Sequence, residues 1–265
     1  MSTGAEQVIK MFQTAYMPYS VEGYTVPQRK PEEIKVDSKD RASLAMMNYI
    51  DSQRANDNFI GAKVAGKEIY TNLINWLKDG KGVHAETLIA VLGSIGGREC
   101  VSGIMSTLES LISDDAENKS QIINVIAGIL DILIAETKSG ERYIMGGRIA
   151  NTFCSFYDTA CAEQGKAVEK LKPLASEIAG KVGSPDYWKT HFDNLVGKSP
   201  KEIADIFEGK FEFTFNVYCR FPYERMLAFA IAAQNAMKQI ESVMPEEKAL
   251  SILAEYGWRT SHYWK

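Results

Sequence analysis

The chain has 265 residues, of which 45% are hydrophobic and 24% charged, a balance that supplies a full hydrophobic core and excludes general disorder. A formal net charge of -4 argues against a nucleic-acid footprint, which must neutralise many phosphates with Lys and Arg. The first residues lack a basic start followed by an apolar run, and the longest uncharged apolar stretch, Met226 to Ala233, is too short to cross a bilayer. A cytoplasmic protein with neither a nucleic-acid nor a membrane partner is therefore expected.

No Pro-, Gly- or Ser-rich linker divides the chain, so the sequence predicts one mainly α, multi-helix globular domain over 38–265, preceded by a helix and extended arm over 1–37. Helical patterning from Glu6 to Met17 stops at Pro18, and Pro27 and Pro31 mark the arm. Ser38 precedes a helix from Arg41 to Arg54 with Leu44, Met47 and Ile50 on one face. Asp57 or Asn58 caps the next, which carries Val64, Leu73, Ile74 and Leu77 and ends at Asp79-Gly80.

A short apolar helix is expected from His84 to Leu92, then a break at Gly93-Ser94-Ile95-Gly96-Gly97. A second helix follows with Val101, Ile104, Met105, Leu108, Leu111 and Ile112 on its buried face, which makes a helical hairpin. Near 129–145 the sequence admits two readings. Ile132 to Thr137 and Glu141 to Met145 flank Lys138-Ser139-Gly140 as a small β-hairpin would; a helix from Gln121 through Ala135 fits the same apolar run.

Two helices are expected next, one with Ile149, Phe153, Phe156, Tyr157 and Ala160 on a face, the other with Val168, Leu171, Leu174 and Ile178. Ser199 and Pro200 open a short helix over Glu202 to Phe207. From Tyr223 to Met244, apolar residues at Met226, Ala230, Ala233, Met237, Ile240 and Met244 predict a core helix, and Leu227, Phe229 and Ile231 widen its stripe beyond one side. Pro245 starts a last helix, Glu246 to Tyr256, which Gly257 ends.

Three stretches carry a resemblance: Gly140-Glu141-Arg142-Tyr143 with Gly146 and Asn151 beyond, Ala179 to Pro185 (AGKVGSP), and Ala228 to Gln234. Their order resembles that of a family of uncharacterised bacterial proteins over roughly Thr87 to Tyr263, with a departure at Gly147, where the family pattern has an acidic residue. The family has no established activity, so the resemblance implies no catalytic residues.

Chemistry has few carriers in this sequence. Glycines before a helix can present N–H groups to an anion, with Arg98 to complement it, but no Gly-Lys-Ser or Gly-Lys-Thr completes a phosphate loop. Cys100 near a helix start would have a lowered pKa and could pair with His84, while His191 with Asp193 offers an imidazole and a carboxylate. Gln234 interrupts the most apolar helix and must find a partner or line a ligand pocket.

Cys154 and Cys161 share a helical face without a histidine nearby, so no metal, and no cofactor, is expected. The four cysteines are read as free thiols, since a chain of this size needs no disulfide staples. Trp258, Arg259, Tyr263 and Trp264 concentrate interface-type residues in the last helix and tail, where they either dock on the chain's own core or bind a protein partner or a second copy. The expected function is thus a non-catalytic helical interaction or regulatory protein. The alternative is a small-molecule enzyme of hydrolase type using Cys100, His84 or His191.

Overall fold

A computed structural model describes residues 3–114, 133–136, 142–145 and 166–264, with the helical positions 122, 125 and 128 between them. The chain is mainly helical, and its centre is a single long helix. The elements are α1 (Thr3–Tyr16), α2 (Arg41–Gln53), α3 (Ile60–Leu77), α4 (Ala85–Asp114), β1 (Leu133–Glu136), β2 (Arg142–Met145), α5 (Lys166–Gly180), α6 (Asp193–Val196), α7 (Pro200–Phe207), α8 (Glu212–Tyr218), α9 (Pro222–Ile240), α10 (Glu246–Ser261) and β3 (Tyr263–Trp264).

The break expected at Gly93 to Gly97 does not occur: α4 runs straight through it for 30 residues. Every residue from Leu88 to Gly97 is buried, because α9 and α10 cover α4 and α1 and α7 add to its cover. Glycine inside a helix costs up to about 1 kcal/mol against alanine. Here it is offset by close packing, since a Cβ on Gly93 would lie 2.5 Å from the Leu253 carbonyl oxygen and one on Gly97 would overlap the Gly257 carbonyl. Gly257 does not end α10 for the same reason; it is the opposing surface of that contact, and the helix continues to Ser261. The stretch Ala85–Ile112 is apolar enough to cross a membrane by length and composition, yet 83% of its most apolar window is buried against the rest of the chain.

Helix α9 meets the expectation of cover on more than one side, with Tyr223, Met226, Leu227, Phe229, Ala230, Ala233, Met237 and Ile240 all buried. It packs on α3 as well as α4. The Ser199 hydroxyl and the Glu202 carboxylate cap α7 reciprocally, with Pro200 in the first turn, as the sequence predicts. Asp40 caps α2, and no side chain caps α3, where the sequence predicts Asp57 or Asn58. Val8, Phe12 and Tyr16 of α1 are buried in the main core.

Strands β1 and β2 pair antiparallel from Leu133 with Met145 to Glu136 with Arg142, so the hairpin reading holds and no helix reaches Ala135. Strand β3 adds antiparallel to β2. The helix expected around Ile149 to Ala160, with Cys154 and Cys161, lies outside the described residues.

Candidate functional site

A cavity of about 560 Å³ lies between the arm, α4 and the turn joining α8 to α9. Helical spacing puts Glu99, Ser102, Gly103 and Ser106 of α4 along one wall. The α8–α9 turn supplies Cys219, Arg220 and Phe221, and the first turn of α9 supplies Arg225. The arm closes the cavity with Tyr24, Pro27, Arg29, Glu33 and Lys35. Its volume falls in the range of small-molecule sites.

The arm is held in place by charged anchors. Arg220 donates to the Pro27 carbonyl oxygen at 2.5 Å and to Glu33 Oε2 at 3.0 Å. Arg29 donates through Nε and Nη2 to the two Asp51 oxygens at 2.6 and 3.2 Å. Asp51 also accepts from Arg54 Nε at 3.0 Å, and Arg54 continues inward to the Tyr218 carbonyl oxygen and to Glu224.

Arg54 and Glu224 are both fully buried. Glu224 closes the network by accepting from the backbone N–H groups of Arg220 at 2.5 Å and Phe221 at 3.0 Å, which caps α9. Burial opposes the charge on Arg54, but Glu224 beside it reverses that effect and holds the guanidinium firmly protonated. Gly61 makes the arrangement possible, because a Cβ there would lie 2.7 Å from Arg54 Nη2.

Glu99 is the more buried of the two carboxylates that line the cavity. Only 17% of its side-chain surface is exposed, and Arg225 Nη1 stands 3.9 Å away, beyond hydrogen-bond reach. The guanidinium instead serves Glu212, at 3.0 Å from Nη1 and 3.5 Å from Nη2. Burial therefore dominates and pushes the Glu99 carboxyl up to about 7, with Arg225 opposing and Glu212 adding to the shift. Burial likewise raises the Cys219 thiol, so it is a poor nucleophile at neutral pH.

The residues singled out from sequence are not brought together. Cys100 is buried in the middle of α4 rather than at a helix start, and His84 precedes that helix on the surface, with Nδ1 3.2 Å from Thr87 Oγ1. Their separation of sixteen positions corresponds to roughly 24 Å of helix, so no Cys–His dyad forms. Arg98 does not face a ring of free N–H groups, since the glycines are mid-helix; its Nη1 pairs with Asp205 at 2.8 Å and its guanidinium lies over the Tyr263 ring. Gln234 is half-buried in α9 and does not line the cavity.

His191 is exposed, and its partner is not Asp193 but the buried Glu255, at 3.2 Å from Nδ1. Asp193 accepts instead from the Thr190 backbone N–H and hydroxyl. Trp258, Arg259 and Tyr263 are buried in this chain's own core, which corrects their assignment to a partner surface. Arg259 pairs with Glu255 at 2.6 Å, and Tyr187 donates to the Arg259 carbonyl oxygen at 2.7 Å. Trp264 contributes backbone to β3, and its side chain lies outside the described residues. Among the described residues no group of three or more His, Cys, Asp or Glu could hold a metal ion.

Sequence reading missed Glu99, Arg220, Arg225 and the arm residues as a site. The one local signal was Pro222 followed by Glu224, a helix-start pattern that marks the turn behind the cavity. Comparison with known protein families, curated proteins and solved structures finds no match to this chain.

Proposed function

We propose that this protein is a non-catalytic, helical binding protein for a small polar molecule held in the cavity between the arm, α4 and the α8–α9 turn. The observation that supports this reading is the cavity itself: about 560 Å³, walled by four cationic and two acidic side chains and closed by a segment that charged anchors hold down. The separation of Cys100, His84 and His191 weighs against the hydrolase alternative, and Cys219, the thiol that does line the cavity, is held protonated by burial.

Native mass spectrometry of the full chain against a panel of small polar molecules tests the reading. One-to-one adducts are expected with the native protein and not with Ser106→Trp, which fills the cavity from an exposed wall position. Adducts that survive Ser106→Trp unchanged would place binding elsewhere, and a panel without adducts would overturn the reading.

A second reading, a protein-interaction role, draws support from Trp76 and Phe213, whose exposures of 46% and 58% are high for aromatic residues. Trp76 packs obliquely on Phe211 at 5.2 Å, with the Lys210 ammonium 5.8 Å from its ring centroid. Loss of a captured partner on Trp76→Ala, with the fold intact, is the expected result under that reading.

A further inference from the structure

We infer that the cavity takes a small molecule bearing an oxyanion, and that Glu99 receives it as the neutral acid, so that binding above neutral pH takes up a proton. The inference rests on the cavity-binding reading and adds to it the class of ligand and a dependence on pH.

Geometry supplies the first argument. Arg29, Lys35, Arg220 and Arg225 line the cavity against Glu33 and Glu99, and Asp51 and Glu212 pair with Arg29 and Arg225 from behind, so the cluster carries an excess of positive charge when Glu99 is neutral and none when it is ionised. No ion pair holds Lys35 among the described residues, whereas Arg29, Arg220 and Arg225 each have one. An anion entering this space is attracted by that excess once Glu99 is neutral.

The second argument concerns Glu99 itself. Glu99 and Glu212 compete for one guanidinium, and Glu212 occupies both of its ends. Glu99 is left inside the wall with no hydrogen bond among the described residues. Ionised, it repels an incoming anion. Protonated, it removes that repulsion and offers an O–H donor to an anion oxygen.

The charged and titratable groups that face it are Arg225 from α9, Glu212 from α8, Arg98 from its own helix, Cys219 and Arg220 from the turn, and Arg29, Glu33 and Lys35 from the arm. None of the three histidines lines the cavity.

Sulfate is the probe, because its charge is constant between pH 6 and 8, and calorimetric titration of the full chain at fixed ionic strength is the measurement. With Glu99 titrating near neutrality, sulfate should bind about tenfold more weakly at pH 8 than at pH 6. Glu99→Gln, a neutral side chain of the same shape, should bind at pH 8 as tightly as the native protein does at pH 6 and show no slope.

A flat native profile, or a slope that persists in Glu99→Gln, would overturn the proton coupling and leave the cavity reading standing. No sulfate binding at either pH would overturn the oxyanion class, and the neutral members of the mass-spectrometry panel then decide the cavity reading separately. Circular dichroism of Glu99→Gln establishes that its fold is retained before either result is read.

Discussion

Gly97 of α4 and Gly257 of α10 meet backbone to backbone, with no room between the two helices for a single methyl group. Gly97→Ala should therefore destabilise the protein by about 1–3 kcal/mol in urea denaturation, since neither main chain can retreat without losing the packing around it. Gly180→Ala, where an added Cβ meets nothing within 4 Å, is the matched control and should change stability by less than about 0.5 kcal/mol. Equal effects at both positions would refute the packing argument.

The buried pair Arg54 and Glu224 makes a prediction of opposite design. Arg54→Met strands a carboxylate in the core and should cost about 3–5 kcal/mol. Adding Glu224→Gln should recover a good part of that loss, because Gln can still accept from the Arg220 and Phe221 N–H groups while carrying no charge. A double variant no more stable than the single one would show that the loss comes from packing and not from the uncompensated charge.

Acid should loosen the arm through Asp51. Burial alone would raise its carboxyl, but hydrogen bonds and charge from Arg29 and Arg54 outweigh it and hold the group below its ordinary value of 3.8. A depressed carboxylate contributes stability that is present above the unfolded value and lost as pH falls through the folded one. The stabilising effect of Asp51 over Asp51→Asn should thus be full above about pH 4 and fade below it, as read from denaturation midpoints.

Glu99 has the reverse sign. Its folded value, about 7, lies above the ordinary 4.5, so the native state holds the proton more tightly and stability falls as pH rises between those two values. Glu99→Gln removes the penalty and should raise stability at pH 8 by up to about 3 kcal/mol while changing little at pH 4. Identical pH profiles for the two proteins would sink this assignment.

Tyr263 reports on the C-terminal aromatics. Its ring meets Trp188 edge-on at 5.2 Å, with the Lys201 ammonium 4.8 Å above it, and its surface is 8% exposed. Tyr263→Ala should cost about 3–5 kcal/mol in denaturation. The elution volume of the folded fraction on sizing should be unchanged, because the ring packs on its own chain; a shift to a smaller species would restore the interface reading.

The helices were legible wherever one apolar face alternated with a polar one, as in α2, and wherever a cap was local, as at Ser199 and Pro200. The reading failed at Gly93 to Gly97 and at Gly257, where glycine normally punctuates a chain. Each run looks like a helix end when taken alone; only the partner helix, distant in sequence, shows that the missing side chains admit a neighbouring backbone.

The site was harder to see for a related reason. Glu99 stood within the string read as a phosphate-type loop, but nothing local reveals that Arg225 is committed to Glu212 or that residues 24–35 cross the same space. His191 was paired with its sequence neighbour Asp193, whereas its carboxylate comes from Glu255 on another helix. The aromatic tail was ambiguous because Trp, Tyr and Arg suit a core crossing and an interface equally well.

The Gly97–Gly257 contact also bears on how the chain is made. Because about 160 residues separate the two glycines, a ribosome working at typical speed completes α10 roughly ten to thirty seconds after α4 has been synthesised. During that interval α4, the one described helix long and apolar enough to cross a membrane, lacks the partner that buries the face bearing its glycines. Nascent chains halted before α10 should therefore recruit holding chaperones through α4 and release them once α10 docks, which makes synthesis, rather than equilibrium stability, the stage at which this fold is most vulnerable to aggregation.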